Sequence, residues 1–290
     1  MSEKSKRIAL IGAPTDIGAG RRGAAMGPEA LRVAGLAHAL RRLGHRVDDR
    51  GNLSGPINPE RARENGYRHL PEVVAWCTAV RDAVAGALAD GELPVLMGGD
   101  HCLSVGSIAA VARHCAETHR SLTVLWLDAH ADYNVAESSP TGNVHGMPLA
   151  VAFGVAGEAF VSDAWPTPSV ERAALVGVRS LDDGERELLD ELDVRVYTMS
   201  DLDRRGVEPV LSEALDHLAG ASFLHVSVDL DAVDPMFAPG VGTPVRGGLS
   251  YREAHLALEL VEVNPVLDRE NETALLAVEL AASALGARIL

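Results

Sequence analysis

The stretch LWLDAHADYNVAESSPTGNVHGMP, Leu125 to Pro148, decides how the chain folds. It opens inside an apolar run, Thr123 to Leu127, of the kind that forms a buried strand. It then breaks into Asp128, His130 and Asp132, spaced two apart. Side chains two apart in an extended segment point to the same face, so two carboxylates and an imidazole converge at the end of that strand. Groups crowded in this way repel and desolvate one another unless positive charge lies between them. A divalent metal supplies that charge. A solvated acidic turn is the plainer alternative, and a second acidic cluster far downstream decides against it.

Downstream, the string SVDLDAVDP repeats the pattern. Asp229 and Asp231 come after the apolar run Phe223 to Val228, again two apart, with Asp234 behind them. Upstream, the run Pro94 to Met97 ends in Gly98, Gly99, Asp100 and His101, where glycines let the backbone turn sharply and leave His101 at a strand end. His101, Asp128, His130, Asp132, Asp229 and Asp231 therefore bring two imidazoles and four carboxylates to three strand ends. Two divalent cations match four carboxylates in charge; one cation leaves surplus negative charge and unused ligands. The expectation is two metals bridged by carboxylates. Oxygen-rich ligation with two imidazoles suits Mn²⁺, with Co²⁺, Fe²⁺, Zn²⁺ or Mg²⁺ as substitutes. The lack of thiolate ligands argues against a structural zinc. Paired ions about 3.5–4 Å apart activate a bridging water as a nucleophile near neutral pH.

Outward from these clusters, short apolar runs alternate with amphipathic segments. Strands are expected at Ile8 to Ile11, His45 to Asp48, Pro94 to Met97, Thr123 to Leu127, Ala174 to Val178, Val194 to Met199, Phe223 to Val228 and Ala274 to Val278. Helices are expected at Pro28 to Arg42, Pro71 to Ala89, Ser104 to Thr118, Asp183 to Leu192, Glu208 to Leu218 and Tyr251 to Val261. Eight strands joined mostly through helices imply an α/β fold: a parallel sheet covered on both faces, three layers in α-β-α order. Gly51 to His69 and Gly157 to Pro168 read as surface excursions. Without a linker, residues 1–290 read as one domain.

Composition narrows the function classes. The chain has 290 residues, 47% of them hydrophobic and only 4% aromatic, so Ala, Val and Leu fill most of the core. The formal net charge of −15 argues against a nucleic-acid partner and suits a cationic substrate. Cys77, Cys102 and Cys115 have no metal-ligand spacing and read as thiols in a reducing cytoplasm. The N-terminal apolar run is too short for a signal peptide, and no stretch is long enough to span a membrane.

The strings GRRGAAMGPEALR, GGDHCLSVGS, DAHADYN, SPTGNVHGMPLA, VGVRSLDDGER, SVDLDAVDP, GTPVRGGLSYREA and EVNP occur in sequence order across nearly the whole chain. Together they resemble the arginase branch of the ureohydrolases. The resemblance implies a single α/β domain with an eight-stranded parallel sheet, a di-manganese site and a homo-oligomer, trimeric or hexameric. It implies hydrolysis of a guanidinium to urea and an amine. His101, Asp128, Asp132 and Asp229 look like ligands of one metal or both, with His130 and Asp231 completing the set. His145 resembles the family's proton-shuttling histidine, and Glu262 the carboxylate that holds the guanidinium. Asn134, Ser139 and Thr141 look like the groups that hold the substrate α-carboxylate; Asp182 and Glu185 look like the acidic pair for the α-ammonium. Hydroxyls and an amide can donate to a carboxylate, and acids can accept from an ammonium. Thr141 stands where Ser is expected and Cys102 where Ser comes after the histidine.

Three functions remain open: a di-metal hydrolase of L-arginine, a related amidino hydrolase for agmatine or guanidinobutyrate, and a non-catalytic regulator on the same fold. The complete ligand set disfavours the regulator, as it does a single-zinc deacetylase.

Overall fold

A computed structural model describes residues 5–155, 170–189, 194–251, 253–254 and 259–287. Eight strands form one sheet: β1 (Arg7–Ala13), β2 (Arg46–Asn52), β3 (Leu93–Gly98), β4 (Leu122–Leu127), β5 (Val170–Val178), β6 (Val194–Thr198), β7 (Phe223–Asp229) and β8 (Glu259–Val261). Their spatial order is β2-β1-β3-β8-β7-β4-β5-β6, and every pairing is parallel. All strands therefore end at one edge of the sheet, and the residues just past each strand's C-terminus lie along that edge.

The helices are α1 (Gly27–Val33), α2 (Leu36–Arg42), α3 (Leu70–Ala89), α4 (Ser104–Glu117), α5 (Pro148–Ala152), α6 (Asp183–Leu189), α7 (Met199–Arg205), α8 (Val207–Leu218) and α9 (Glu272–Ala284). Strand alternation sorts them onto two faces. Ala9 and Ile11 of β1, with Val124 and Trp126 of β4, pack into a core built with α3, α4 and α5. Their neighbours Ile8, Leu10, Leu125 and Leu127 pack on the other side with α1, α2, α7, α8 and α9. This is the three-layer arrangement that apolar runs without a polar face require, since both faces of each strand are buried.

Two expected elements are corrected. Ala274 to Val278 is not a strand but part of α9. Its apolar run continues through TALLAVELAASA, which is longer than a strand and rich in the strongest helix formers, Ala and Leu. A short buried run looks alike in either state, and length arbitrates. The eighth strand is instead β8, within the expected helix Tyr251 to Val261. Of that helix, Arg252 and residues 255–258 lie outside the described set, and Glu259–Val261 is extended between β3 and β7. Pro28 to Arg42 is two helices, broken where Gly35 adopts φ 90°. Val194 to Met199 stops at Thr198, whose hydroxyl and Asp201 form a reciprocal cap that starts α7. The expected segment Gly157 to Pro168 and the last three residues of Asp183 to Leu192 lie outside the described residues.

α3 and α4 cross at Gly106, where an added Cβ would stand 2.3 Å from the Cys77 carbonyl oxygen. A backbone atom cannot be moved aside as a side-chain tip can. Gly106→Ala is therefore expected to cost about 1–3 kcal/mol through overpacking, although Ala is otherwise better than Gly inside a helix by roughly 1 kcal/mol. A lower urea midpoint at unchanged slope checks this; an unchanged or higher midpoint contradicts it.

Candidate metal centre

Four adjacent strands in the middle of the sheet, β3, β8, β7 and β4, deliver the site. The turn after β3 carries Asp100 and His101. Beyond β4 come Asp128, His130 and Asp132. β7 ends in Asp229, with Asp231 next. Glu262 stands directly after β8. The geometry brings all six expected ligands together. His101 Nδ1 lies 3.2 Å from Asp128 Oδ2, 3.0 Å from Asp132 Oδ2 and 3.2 Å from Asp229 Oδ2. His130 Nδ1 lies 3.4 Å from Asp128 Oδ1 and 3.1 Å from Asp231 Oδ2. His101, Asp128 and Asp132 form one group able to hold a metal, and Asp128, His130 and Asp231 a second. Asp128 belongs to both and offers a different oxygen to each.

Neighbouring donors orient these groups. Asp128 accepts from the Trp126 indole at 2.9 Å and from the His130 backbone N–H at 2.7 Å. Asp229 accepts from the Asp231 N–H at 2.7 Å; Asp231 accepts from the Ala129 N–H at 3.1 Å and the Thr243 hydroxyl at 2.8 Å. The His101 ring stacks on Trp126 with centroids 4.1 Å apart and planes 6° from parallel, and its Nε2 lies 2.8 Å from Ser227 Oγ. Behind the second group, the Arg179 guanidinium donates to the backbone carbonyls of Asp231 at 2.6 Å and Val245 at 2.7 Å. That holds the loop bearing Asp231 against the loop bearing Thr243.

The electrostatics show what the centre requires. Asp128, Asp229 and Asp231 are buried with Asp132 in one place. Burial and the Asp128 charge push Asp132 up to about 6; burial, Asp231 and Asp128 push Asp229 well up. Burial opposes a proton on either imidazole, yet the carboxylates outweigh it. His130 is raised to about 12 and His101 well above its usual range, while the imidazoles hold Asp128 below the carboxylate range against its own desolvation. The carboxylates thus draw protons onto both imidazoles, with the Arg179 guanidinium close behind them. Even so, His101 Nδ1 is buried among three carboxylates without a well-formed hydrogen bond. An orphaned buried nitrogen facing oxygen donors fits a metal cation, which these residues could hold directly.

Two residues of the site adopt left-handed backbone conformations that non-glycine residues rarely take: Asp132 at φ 50° and Glu262 at φ 61°. Such strain persists where surrounding structure holds it, and it concentrates at functional sites. Glu262 is held by its N–H to the Gly99 carbonyl at 2.8 Å. Its Oε1 accepts from the His101 N–H at 3.0 Å and lies 3.3 Å from His145 Nδ1.

A cavity of about 270 Å³ opens over the two groups, lined by His130, Asp132, His145 and Asp229 at the metal end and by Asn134, Ser139, Thr141, Asp182 and Glu185 at the other. The five expected substrate residues are therefore brought together. Ser139 Oγ accepts from the Gly142 N–H at 2.9 Å and Thr141 Oγ1 from the Asn143 N–H at 3.2 Å, which leaves each hydroxyl proton to donate. Asp182 accepts from the Asn134 amide at 3.0 Å. Glu185 accepts from the Tyr133 N–H at 3.1 Å and the Asp182 N–H at 2.9 Å. It ties the two loops together besides lining the cavity, and burial pushes it up to about 7.

Residues that the sequence pattern does not single out also line the cavity, namely Asn143, Ser180 and Thr243, and Trp126 and Ser227 stand behind it. Trp126 and Ser227 each come two residues before a ligand on a strand, so the alternation that marks the aspartates points to them as well. Asn143 and Thr243 lie inside the strings SPTGNVHGMPLA and GTPVRGGLSYREA without a spacing of their own.

A model of the Arginase family matches residues 6–286. The chain is 42% identical over 300 residues to the arginase of Bacillus subtilis (strain 168), covering 98% of this chain and 99% of that one. It is 42% identical over 304 residues to the arginase of Bacillus caldovelox, covering 98% of this chain and 100% of that one. The native structure of Bacillus caldovelox arginase at pH 5.6 superposes with a TM-score of 0.92 at 39% identity, covering 98% of this chain and 100% of that one.

Burial lowers the His145 imidazole, but Glu262 outweighs it and raises the ring to about 9. Replacing the carboxylate removes the cause. In metal-free Glu262→Gln, the His145 titration midpoint measured by NMR is expected to fall from about 9 towards the ordinary histidine value near 6.5. A midpoint that stays at about 9 contradicts this account.

Proposed function

Because the chain belongs to the arginase family, we propose that it hydrolyses the guanidinium of L-arginine to L-ornithine and urea at a pair of Mn²⁺ ions. The observation that carries the reading is a single cavity with a metal-binding floor, hydroxyl donors on one wall and carboxylates on another. His101, Asp128, Asp132 and Asp229 would hold one ion, and His130, Asp128 and Asp231 the other. When bound, the ions supply Lewis acidity that makes a water nucleophilic near neutral pH.

The chain's own groups account for the rest. Glu262 is buried, its Oε1 is engaged by His101 and His145, and no donor among the described residues reaches Oε2. Oε2 is the oxygen left to take the guanidinium. Water adds to the guanidinium carbon, the bond from that carbon to the chain nitrogen breaks, and the departing nitrogen must gain a proton. His145 lines the same cavity, and in the metal-free protein Glu262 raises it to about 9, which favours its protonated form. It is the group placed to act as the acid for that step. Asp132 lines the cavity beside it.

At the other end, Ser139 and Thr141 present hydroxyl protons to the α-carboxylate, with Asn134 alongside, while Asp182 and Glu185 accept from the α-ammonium. The extra methyl of Thr141 leaves its donor in place. The same reading takes residues 1–290 as one domain. It assigns the protein to a reducing cytoplasm, in keeping with three buried free cysteines, and to a homo-oligomer, a trimer or a hexamer. No helix among the described residues is long and apolar enough to cross a membrane.

Two outcomes check the proposal. Asp132→Ala is expected to lower bound Mn²⁺, measured by elemental analysis after desalting, and nearly to abolish urea release, because water cannot replace a carboxylate's charge. Two tightly held ions and full activity in this variant contradict the ligand set. For substrate choice, kcat/KM for L-arginine is expected to exceed that for agmatine and guanidinobutyrate by at least about 10²-fold. A site that aims the buried Glu185 and the cavity-lining Asp182 at an ammonium, and donors at a carboxylate, leaves them under-paired when either group is missing. Faster turnover of agmatine or guanidinobutyrate would give the protein to the related amidino hydrolases instead.

A further inference from the structure

The segment between β2 and α3 contributes nothing to the metal centre, yet it grips the loop that forms the cavity's outer wall. The Arg63 guanidinium donates to the Ser139 carbonyl at 3.1 Å and to the Pro140 carbonyl at 3.5 Å. The Arg68 N–H donates to the Gly142 carbonyl at 2.8 Å. Between these two points the chain turns back on itself, with Glu64 and Tyr67 exchanging backbone hydrogen bonds at 2.8 and 2.9 Å. The turn lies directly on the loop. Gly142 has φ 72°, and a Cβ there would stand 2.7 Å from the Gly66 carbonyl oxygen and 2.8 Å from Arg63 Cδ.

The residues gripped from outside are those whose side chains face inward. Ser139 lines the cavity while its carbonyl is held by Arg63; Thr141 lines it between Pro140 and Gly142, both held. Their hydroxyls are aimed by the N–H groups of Gly142 and Asn143, so the direction of each O–H depends on the path of the 139–143 backbone. Arg63 itself is exposed and is not among the residues that line the cavity.

We propose that Arg63 is a positioning residue for substrate choice: by holding the carbonyls of Ser139 and Pro140 it keeps the hydroxyls of Ser139 and Thr141 aimed at the substrate's α-carboxylate. The proposal rests on the arginine reading of the same cavity. Release of the clamp loosens the carboxylate end alone, since Glu262 and the metal ligands hang from strand ends, and His145 is held separately by its N–H to the Gly18 carbonyl at 3.2 Å and by Glu262 at 3.3 Å. A carboxylate-free competitor is then the control. Agmatine carries the same guanidinium on the same chain without the carboxylate.

The experiment uses the Mn²⁺-loaded full chain as wild type, Arg63→Ala and Arg63→Lys, with KM and kcat measured for L-arginine and the inhibition constant measured for agmatine. In Arg63→Ala, KM for L-arginine is expected to rise about 5- to 20-fold, with kcat and the agmatine constant within about twofold, the pattern of lost uniform binding at one end of the substrate. Arg63→Lys is expected to recover most of the loss, because an ammonium can still donate to a carbonyl. A merely structural role would move the agmatine constant and the arginine KM together, and that result, or an unchanged KM, overturns the proposal. A wild-type enzyme that turns over agmatine better than L-arginine overturns the arginine reading beneath it, whatever Arg63 does.

Discussion

Asp128 stands between two imidazoles, one oxygen 3.2 Å from His101 and the other 3.4 Å from His130. Around it, Asp132, Asp229 and Asp231 are buried at the same spot. Carboxylates held this close, away from water, cannot all remain ionised without compensating charge, and two imidazoles do not balance four acids. That deficit governs the rest of the structure. It demands cations in the centre, and it demands that the surrounding backbone aim N–H groups at the acids, as those of Ala129, His130 and Asp231 do.

A parallel sheet is the scaffold that can meet this demand. Every strand ends at the same edge, so residues far apart in sequence arrive side by side without any strand needing to turn back. The ligands come from β3, β4 and β7, and β8 lies between β3 and β7. β8 is only three residues long, yet it sets Glu262 where its carboxylate meets the His101 N–H and His145. The strained backbone at Asp132 and Glu262 is the local consequence of bending two chain ends inward over one point.

The two ends of the cavity are built on different principles. The metal end hangs from strand termini and is stiffened by Trp126, Ser227, Thr243 and Arg179. The other end is a loop, with hydroxyls directed by the loop's own N–H groups and backbone held by a neighbouring excursion. One end of the cavity thus rests on strand termini and the other on a loop. Arg179 and Arg63 illustrate the contrast: both donate to backbone carbonyls, one behind the aspartates, the other exposed on the outer wall.

The sequence by itself determined the chemistry of the centre. Asp128, His130 and Asp132, like Asp229 and Asp231, were legible because alternation along a strand is a local rule, and acids clustered after a buried strand must be neutralised by something. The parallel α/β layout was legible because alternating apolar runs and amphipathic segments are local as well. Only the tertiary structure decided the features set by partners distant along the chain. Glu259 to Val261 became a strand between β3 and β7, because so short an apolar run carries no periodicity that separates strand from helix; the helix over Ala274 to Val278 was legible in the length and Ala/Leu content of its run. The pairing of Glu262 with His145, 117 residues away, and the inward aim of Asn143 and Thr243 depend on loops meeting at the sheet edge. The hold of Arg63 on Ser139, 76 residues on, is of the same kind: it depends on where the β2–α3 excursion lands, which no spacing within either segment encodes.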